Sequence, residues 1–186
     1  MANKFYRWRA NDFSIENATE FIDLVHKWGF RGRSLDKRQA VLYEPEYLIN
    51  FIEMLRIWNI SKNPVLMRES LSKCLKTPNV KIARFSKWIC FIDQSRYAIY
   101  DSRVSLALRR IKLGEKRFFP TLGSRPKGRP LNDYIASDTS RAAYIMAGKY
   151  MVYLDFLHSI LSATAFSRVA ELEMALFMLG AEDKYW

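Results

Sequence analysis

The chain has 186 residues, 49% of them hydrophobic and 15% aromatic, and 30 lysines and arginines against 19 acids give it a formal charge of +11. That is enough apolar material for one compact domain over residues 1–186 or for two small lobes sharing a cleft, and the basic excess points to a polyanion, with nucleic acid the default. With only Cys74, Cys90, His26 and His158 on offer, a four-cysteine cluster, a zinc finger and a transition-metal enzyme are disfavoured, so no metal and no cofactor are expected.

Ser14 can cap a first helix, with Phe21, Ile22, Leu24, Val25 and Trp28 on its inner face and an end near Gly29. A basic loop through Arg31 and Arg33 follows. A second helical stretch runs from about Lys37 to Trp58, with Pro45 as a break or restart. Asn63-Pro64 opens a third helix that continues through Leu75. Thr77-Pro78-Asn79 reads as a turn, and Ile82 to Ile92 as a fourth helix. Asp101 and Ser102 are N-cap residue types and begin a fifth.

A Pro/Gly-rich basic loop over 114–130 separates the halves. Two apolar helices close the chain, at about Thr139 to Ala163, with Asp138 as cap, and Phe166 to Leu179. No alternating strand pattern competes, and Phe118-Phe119-Pro120 is the place for a stray extended segment. The expected fold is therefore all-α, with about seven helices. Cys74 and Cys90 read as core thiols, and Met67, Met146, Met174 and Met178 as core filler. The chain shows neither a membrane-length apolar run nor, over residues 1–9, a signal-peptide core, so a cytoplasmic protein without membrane attachment is expected.

The stretch from 97 to 104 (Tyr97-Ala98-Ile99-Tyr100-Asp101-Ser102-Arg103-Val104) delivers an acid from an apolar, extended approach onto a helix start. Upstream, Pro78-Asn79-Val80-Lys81 joins two predicted helices tightly, and the helix after it carries Lys87. The order is helix, hairpin, helix, extended approach, acid, helix. On residues 63–113 this resembles the helix-hairpin-helix DNA glycosylases, including the 8-oxoguanine glycosylases. Their hairpin reads roughly Leu-Pro-Gly-Val-Gly, and a Pro-Val-Asp-Thr-His-Val-like loop carries their catalytic aspartate.

The resemblance implies a two-lobed helical bundle around a cleft. It also implies a monomeric enzyme acting on double-stranded DNA that contains a damaged or modified base. The chain departs from the pattern where Asn79 and Lys81 replace the hairpin glycines. It departs again where the family's nucleophilic lysine would fall, at Ala83 or Arg84, with Lys87 one helical turn further on.

Asp101 is the expected catalytic acid, stabilising oxocarbenium character and orienting the attacking group. Lys87 is either a displaced nucleophile for a coupled lyase step or a surface lysine, in which case water is the nucleophile. Asn79, Lys81, Arg84, Arg103, Arg109, Arg110, Lys127 and Arg129 are the expected DNA contacts. Trp88 and Tyr100 are the expected walls of the base pocket, chosen from a set that also includes Trp8, Trp28, Trp58 and Tyr97.

The function expected is a glycosylase that flips a base and leaves an abasic site, in base-excision repair or in defence against modified phage DNA. The alternative is a non-catalytic DNA- or RNA-binding module in which Asp101 is only a helix cap. A basic toxin or nuclease subunit ranks last, because acid clusters and His pairs are missing.

Overall fold

Several helix starts in this protein are set by side chains that satisfy the otherwise orphaned first N–H groups. The computed structural model describes residues 14–29, 42–61, 63–77, 81–109, 111–113, 116–117, 119 and 140–182. Ser14 Oγ accepts from the Asn17 N–H at 3.2 Å and opens α1 (Ile15–Gly29). Pro45 occupies the first position of α2 (Pro45–Ile60), where a missing N–H costs nothing. Asn63 Oδ1 accepts from Val65 N at 2.9 Å and Leu66 N at 3.4 Å to start α3 (Pro64–Leu75).

The helix α4 (Ile82–Ile92) begins at Lys81, whose side chain makes no capping hydrogen bond. Asp101 caps α5 (Ser102–Leu108). A two-residue antiparallel hairpin follows, β1 (Lys112–Leu113) against β2 (Lys116–Arg117). The chain closes with α6 (Ser140–Leu161) and α7 (Val169–Glu182).

The class is all-α, with seven helices among the described residues. The second helical stretch restarts at Pro45, as the proline there predicts, and residues 37–41 lie outside the described residues. A short extended pair lies at Lys112–Leu113 and Lys116–Arg117, while Phe118 and Pro120 of the expected extended stretch lie outside the described residues. One boundary differs from the sequence expectation. The last helix starts three residues late, at Val169, because Glu171 reaches back to accept from Ser167 N at 2.8 Å and Arg168 N at 3.2 Å. That carboxylate, at the third position of the helix, satisfies the N–H groups before it and fixes the start. The proposed Asp138 cap and nearly all of the 114–130 loop lie outside the described residues.

One core cluster draws on all seven helices. Within it α6 packs on α3 and α7, α5 packs on α7, and α2 lies between α1 and α3, while α4 touches α1 and α6. The Phe51, Phe85 and Trp88 rings meet edge to face, with centroids 5.5 to 5.8 Å apart. Trp58 donates from Nε1 to Met67 O at 3.0 Å and to Ser70 Oγ at 3.2 Å, so its burial leaves no donor unpaired. Both cysteines are buried free thiols, as their apolar settings predict, and burial raises the pKa of each. Among the described residues no helix is long and apolar enough to cross a membrane.

Not every apolar residue is inside. Met174 and Met178 are more than half exposed, against the expectation of core filler, whereas Met67 and Met146 do pack on the core. Trp28 falls seven residues after Phe21 and so shares its stripe, yet the indole is 51% exposed.

Two glycines set close approaches. A Cβ on Gly180 of α7 would lie 1.9 Å from the Arg103 carbonyl oxygen of α5, an obstacle of backbone that cannot swing away. A Cβ on Gly148 of α6 would lie 2.7 Å from the Arg68 guanidinium, which stacks at 3.7 Å on Tyr144 and donates from Nε to its carbonyl at 3.0 Å. Gly180→Ala is therefore expected to destabilise by about 1–3 kcal/mol or more, outweighing the roughly 1 kcal/mol gain in helix propensity. Gly148→Ala, which a side chain can accommodate, should lose less, and urea unfolding of the two variants measures the difference.

Candidate active site

An extended backbone buried among helices has no ladder partner, so its N–H and C=O groups must find side chains. The segment 97–100 is in this position, with Tyr97, Ala98 and Tyr100 all buried. The Tyr150 hydroxyl donates to Ala98 O at 2.8 Å and the Tyr153 hydroxyl to Ile99 O at 3.0 Å. These tyrosines stand three residues apart on one face of α6, which matches the reach needed for consecutive carbonyls. Burial holds both phenols far above their ordinary pKa, so they remain O–H donors.

On the other side, the Tyr100 N–H donates to Ser86 Oγ at 2.9 Å and the Tyr97 hydroxyl to Trp58 O at 2.8 Å. His158 Nε2 meets Arg96 O at 3.0 Å, and Ala170 N donates to Gln94 O at 3.2 Å. The approach to Asp101 is thus tied to α2, α4, α6 and α7.

That anchoring delivers Asp101 to the head of α5. Its Oδ1 accepts from Arg103 N at 2.9 Å and Val104 N at 3.1 Å. Lys87, half-buried on α4, reaches across the C-terminal end of α1: Cδ and Nζ lie 3.3 and 3.6 Å from where a Cβ on Gly29 would stand. Glu173, on α7, is only 3% exposed.

The three groups lie within reach of one another's charge. Burial lowers the Lys87 pKa, the negative charges of Asp101 and then Glu173 oppose that, and Arg84 lowers it further. Burial pushes the Glu173 carboxyl up to about 8, with Asp101 raising it and Lys87 lowering it. At neutral pH Glu173 is therefore mainly a neutral acid beside a depressed amine. Together they form a site with a carboxyl proton to give and an amine with a weakened hold on its own.

Of the residues expected from sequence, Asp101 and Lys87 lie within reach of each other's charge. Arg84 is half-buried in the first turn of α4, close enough for its charge to act on Lys87. Lys81 is exposed at the head of α4. Arg103 is half-buried, its guanidinium 4.5 Å above the Phe177 ring, and Arg109 is half-buried at the end of α5. Asn79, Arg110, Lys127 and Arg129 lie outside the described residues.

Trp88 and Tyr100, the expected pocket walls, are core residues instead. Trp88 packs among Tyr47, Phe51 and Phe85, and Tyr100 packs against Tyr153 with ring centroids 5.0 Å apart. Neither presents a face to a ligand in this arrangement. No spacing in the sequence singles out Glu173, which shares α7 with Glu171 and Glu182. No group of three or more His, Cys, Asp or Glu side chains able to hold a metal ion occurs among the described residues. No family model, curated protein or solved structure matches the chain.

Two outcomes follow from this geometry. Tyr150→Phe leaves the Ala98 carbonyl buried without its donor, an expected loss of about 1–3 kcal/mol in chemical denaturation. The second concerns pH. Glu173 ionises near 4.5 when unfolded and near 8 when folded, so between these values the folded protein holds the extra proton. Its contribution therefore makes stability fall as pH rises through that window, by at most about 1.4 kcal/mol per pH unit, and level off above it. Denaturation midpoints across the window should show this slope in the wild type and a flatter one in Glu173→Gln.

Proposed function

We propose that this protein is a DNA glycosylase of the helix-hairpin-helix kind, which flips a damaged or modified base from duplex DNA and cleaves its N-glycosidic bond. The observation that carries the reading is that Asp101, fixed at the head of a helix, lies within charge reach of the half-buried Lys87 amine. As the C1′–N bond breaks, its electron pair leaves with the base and positive charge builds on the sugar. A carboxylate at the position of Asp101 stabilises that charge.

The new bond to C1′ comes from water or from the Lys87 nitrogen, and the attacking group gives up a proton while the departing base takes one. Neutral Glu173 beside Lys87 and Asp101 gives the site a proton of its own for this exchange. The formal charge of +11 favours a polyanionic substrate. At the head of α4, a lysine stands where a capping acceptor would otherwise occupy the first N–H groups, a setting that suits a phosphate. The cleft between two lobes and the choice between repair and phage defence belong to this proposal.

One observation favours the second reading, a non-catalytic nucleic-acid-binding module. Both hydrogen bonds to Asp101 Oδ1 are those of a helix cap, which needs no chemistry to explain it. Asp101→Asn separates the two, because it keeps the capping oxygen and removes the charge. The experiment incubates the protein with plain duplex DNA and with duplex DNA from phages carrying modified bases. Abasic sites are scored by alkaline cleavage, and borohydride is added to trap a Schiff base. The expected result is base release reduced by about 10²- to 10⁴-fold in Asp101→Asn with DNA affinity retained, and trapping lost in Lys87→Ala. Tight, salt-sensitive binding without any base release would make the module the better account.

A further inference from the structure

Beside the Lys87 amine stands an aromatic corner that the trio leaves unused. Trp28, the penultimate residue of α1, is 51% exposed, an unusual setting for so large an apolar ring in a chain whose Trp58 and Trp88 are both 1% exposed. Its indole meets the Phe91 ring edge-on, with centroids 4.7 Å apart and planes at 79°. Phe91 follows Lys87 by four residues on α4 and therefore shares its face, one turn along. The residue after Trp28 is Gly29, across whose backbone the Lys87 side chain lies, with Nζ 3.6 Å from the absent Cβ. Two elements thus converge on one spot, α1 bringing an exposed indole and α4 bringing both the ring that props it and the amine.

We propose that Trp28, held by Phe91, is a stacking platform for an unpaired nucleobase, set so that the sugar of the stacked nucleotide faces Lys87. A base has a planar π face about as large as an indole's, and stacking of this kind is indifferent to base identity. The edge-on contact with Phe91 fixes the orientation of the indole while leaving a ring face open. Gly29 contributes by absence, since a side chain there would push the Lys87 chain away from the corner. The bases that reach this platform have left the stack, so the ligand class is a single-stranded or extruded nucleotide.

The inference rests on the nucleic-acid reading above but not on base release. The test uses the full chain and two oligonucleotides of equal length and charge, a single strand bearing bases and one made of abasic tetrahydrofuran units. The Trp28 emission is the difference between wild type and Trp28→Phe. It should be quenched by the base-bearing strand and unchanged by the abasic one. The preference of the protein for the base-bearing strand should fall by roughly 5- to 150-fold in Trp28→Ala, the range expected for one lost base–aromatic stack, and should be largely retained in Trp28→Phe.

Trp28→Leu keeps apolar cover over Phe91 while lacking a π face, and it should fail like Trp28→Ala, which guards against a merely structural loss. An unchanged preference in both the Ala and the Leu variants overturns the platform, as does equal quenching by the two strands. Selective quenching without any abasic product keeps the platform and removes the glycosylase. Base release together with an unchanged strand preference in Trp28→Ala and Trp28→Leu does the reverse.

Discussion

The arrangement around Asp101 depends on pairing the backbone of a short extended segment with no strand beside it. Two tyrosine hydroxyls of α6 and one serine hydroxyl of α4 do the work that neighbouring strands would do in a sheet. Each unpaired buried carbonyl would cost about 1–3 kcal/mol, a large share of the few kcal/mol by which a domain of this size is stable. The aromatic rings that bring those hydroxyls in are themselves core, so one set of residues both fills the interior and aims the acid. Asp101 is thus placed by interior packing from four helices, although it caps a helix only seven residues long.

The proposed chemistry draws on an imbalance that the fold imposes. An acid and an amine in water would both be charged at neutral pH. Here burial weakens the amine's grip on its proton and strengthens the acid's, and the neighbouring carboxylate of Asp101 pushes Glu173 the same way. Groups brought toward each other in pKa exchange a proton at little cost, the condition under which acid–base chemistry runs near neutral pH.

What the sequence discloses and what it conceals divide along the line between local and tertiary causes. Ser14, Asn63 and Asp101 start helices through hydrogen bonds that span two or three residues, and Pro45 and Pro64 act through their own rings, so these starts are legible from the chain alone. The joining of Asp101 to Lys87 is half legible, because order along the chain suggested it while their proximity depends on the path of 97–100. Glu173 was hidden. The inward face of α7 carries Val169, Leu172, Glu173 and Gly180, but apolar residues such as Met174, Met178 and Leu179 also cover the outward face. A helix apolar all round gives no periodic sign of which side is buried. The aromatics failed in the same way, since nothing local distinguishes Trp88, sealed by three rings, from Trp28, which touches Phe91 but stays half in solvent.

The backbone contact at Gly180 has a mechanical consequence. With no side chain between them, α7 and α5 have nothing to slide over, and the bond from Ala170 to Gln94 fastens the start of α7 to the same approach that carries Asp101. The segments that carry the two carboxyl groups are therefore fastened directly to each other. Lys87 belongs to the same framework from the α4 side, because the neighbouring Ser86 accepts from the Tyr100 N–H, and its side chain rests on the end of α1. A substitution that forced α7 off α5 would therefore move Glu173 relative to Asp101, while the Ser86 bond keeps α4 and Lys87 with the approach.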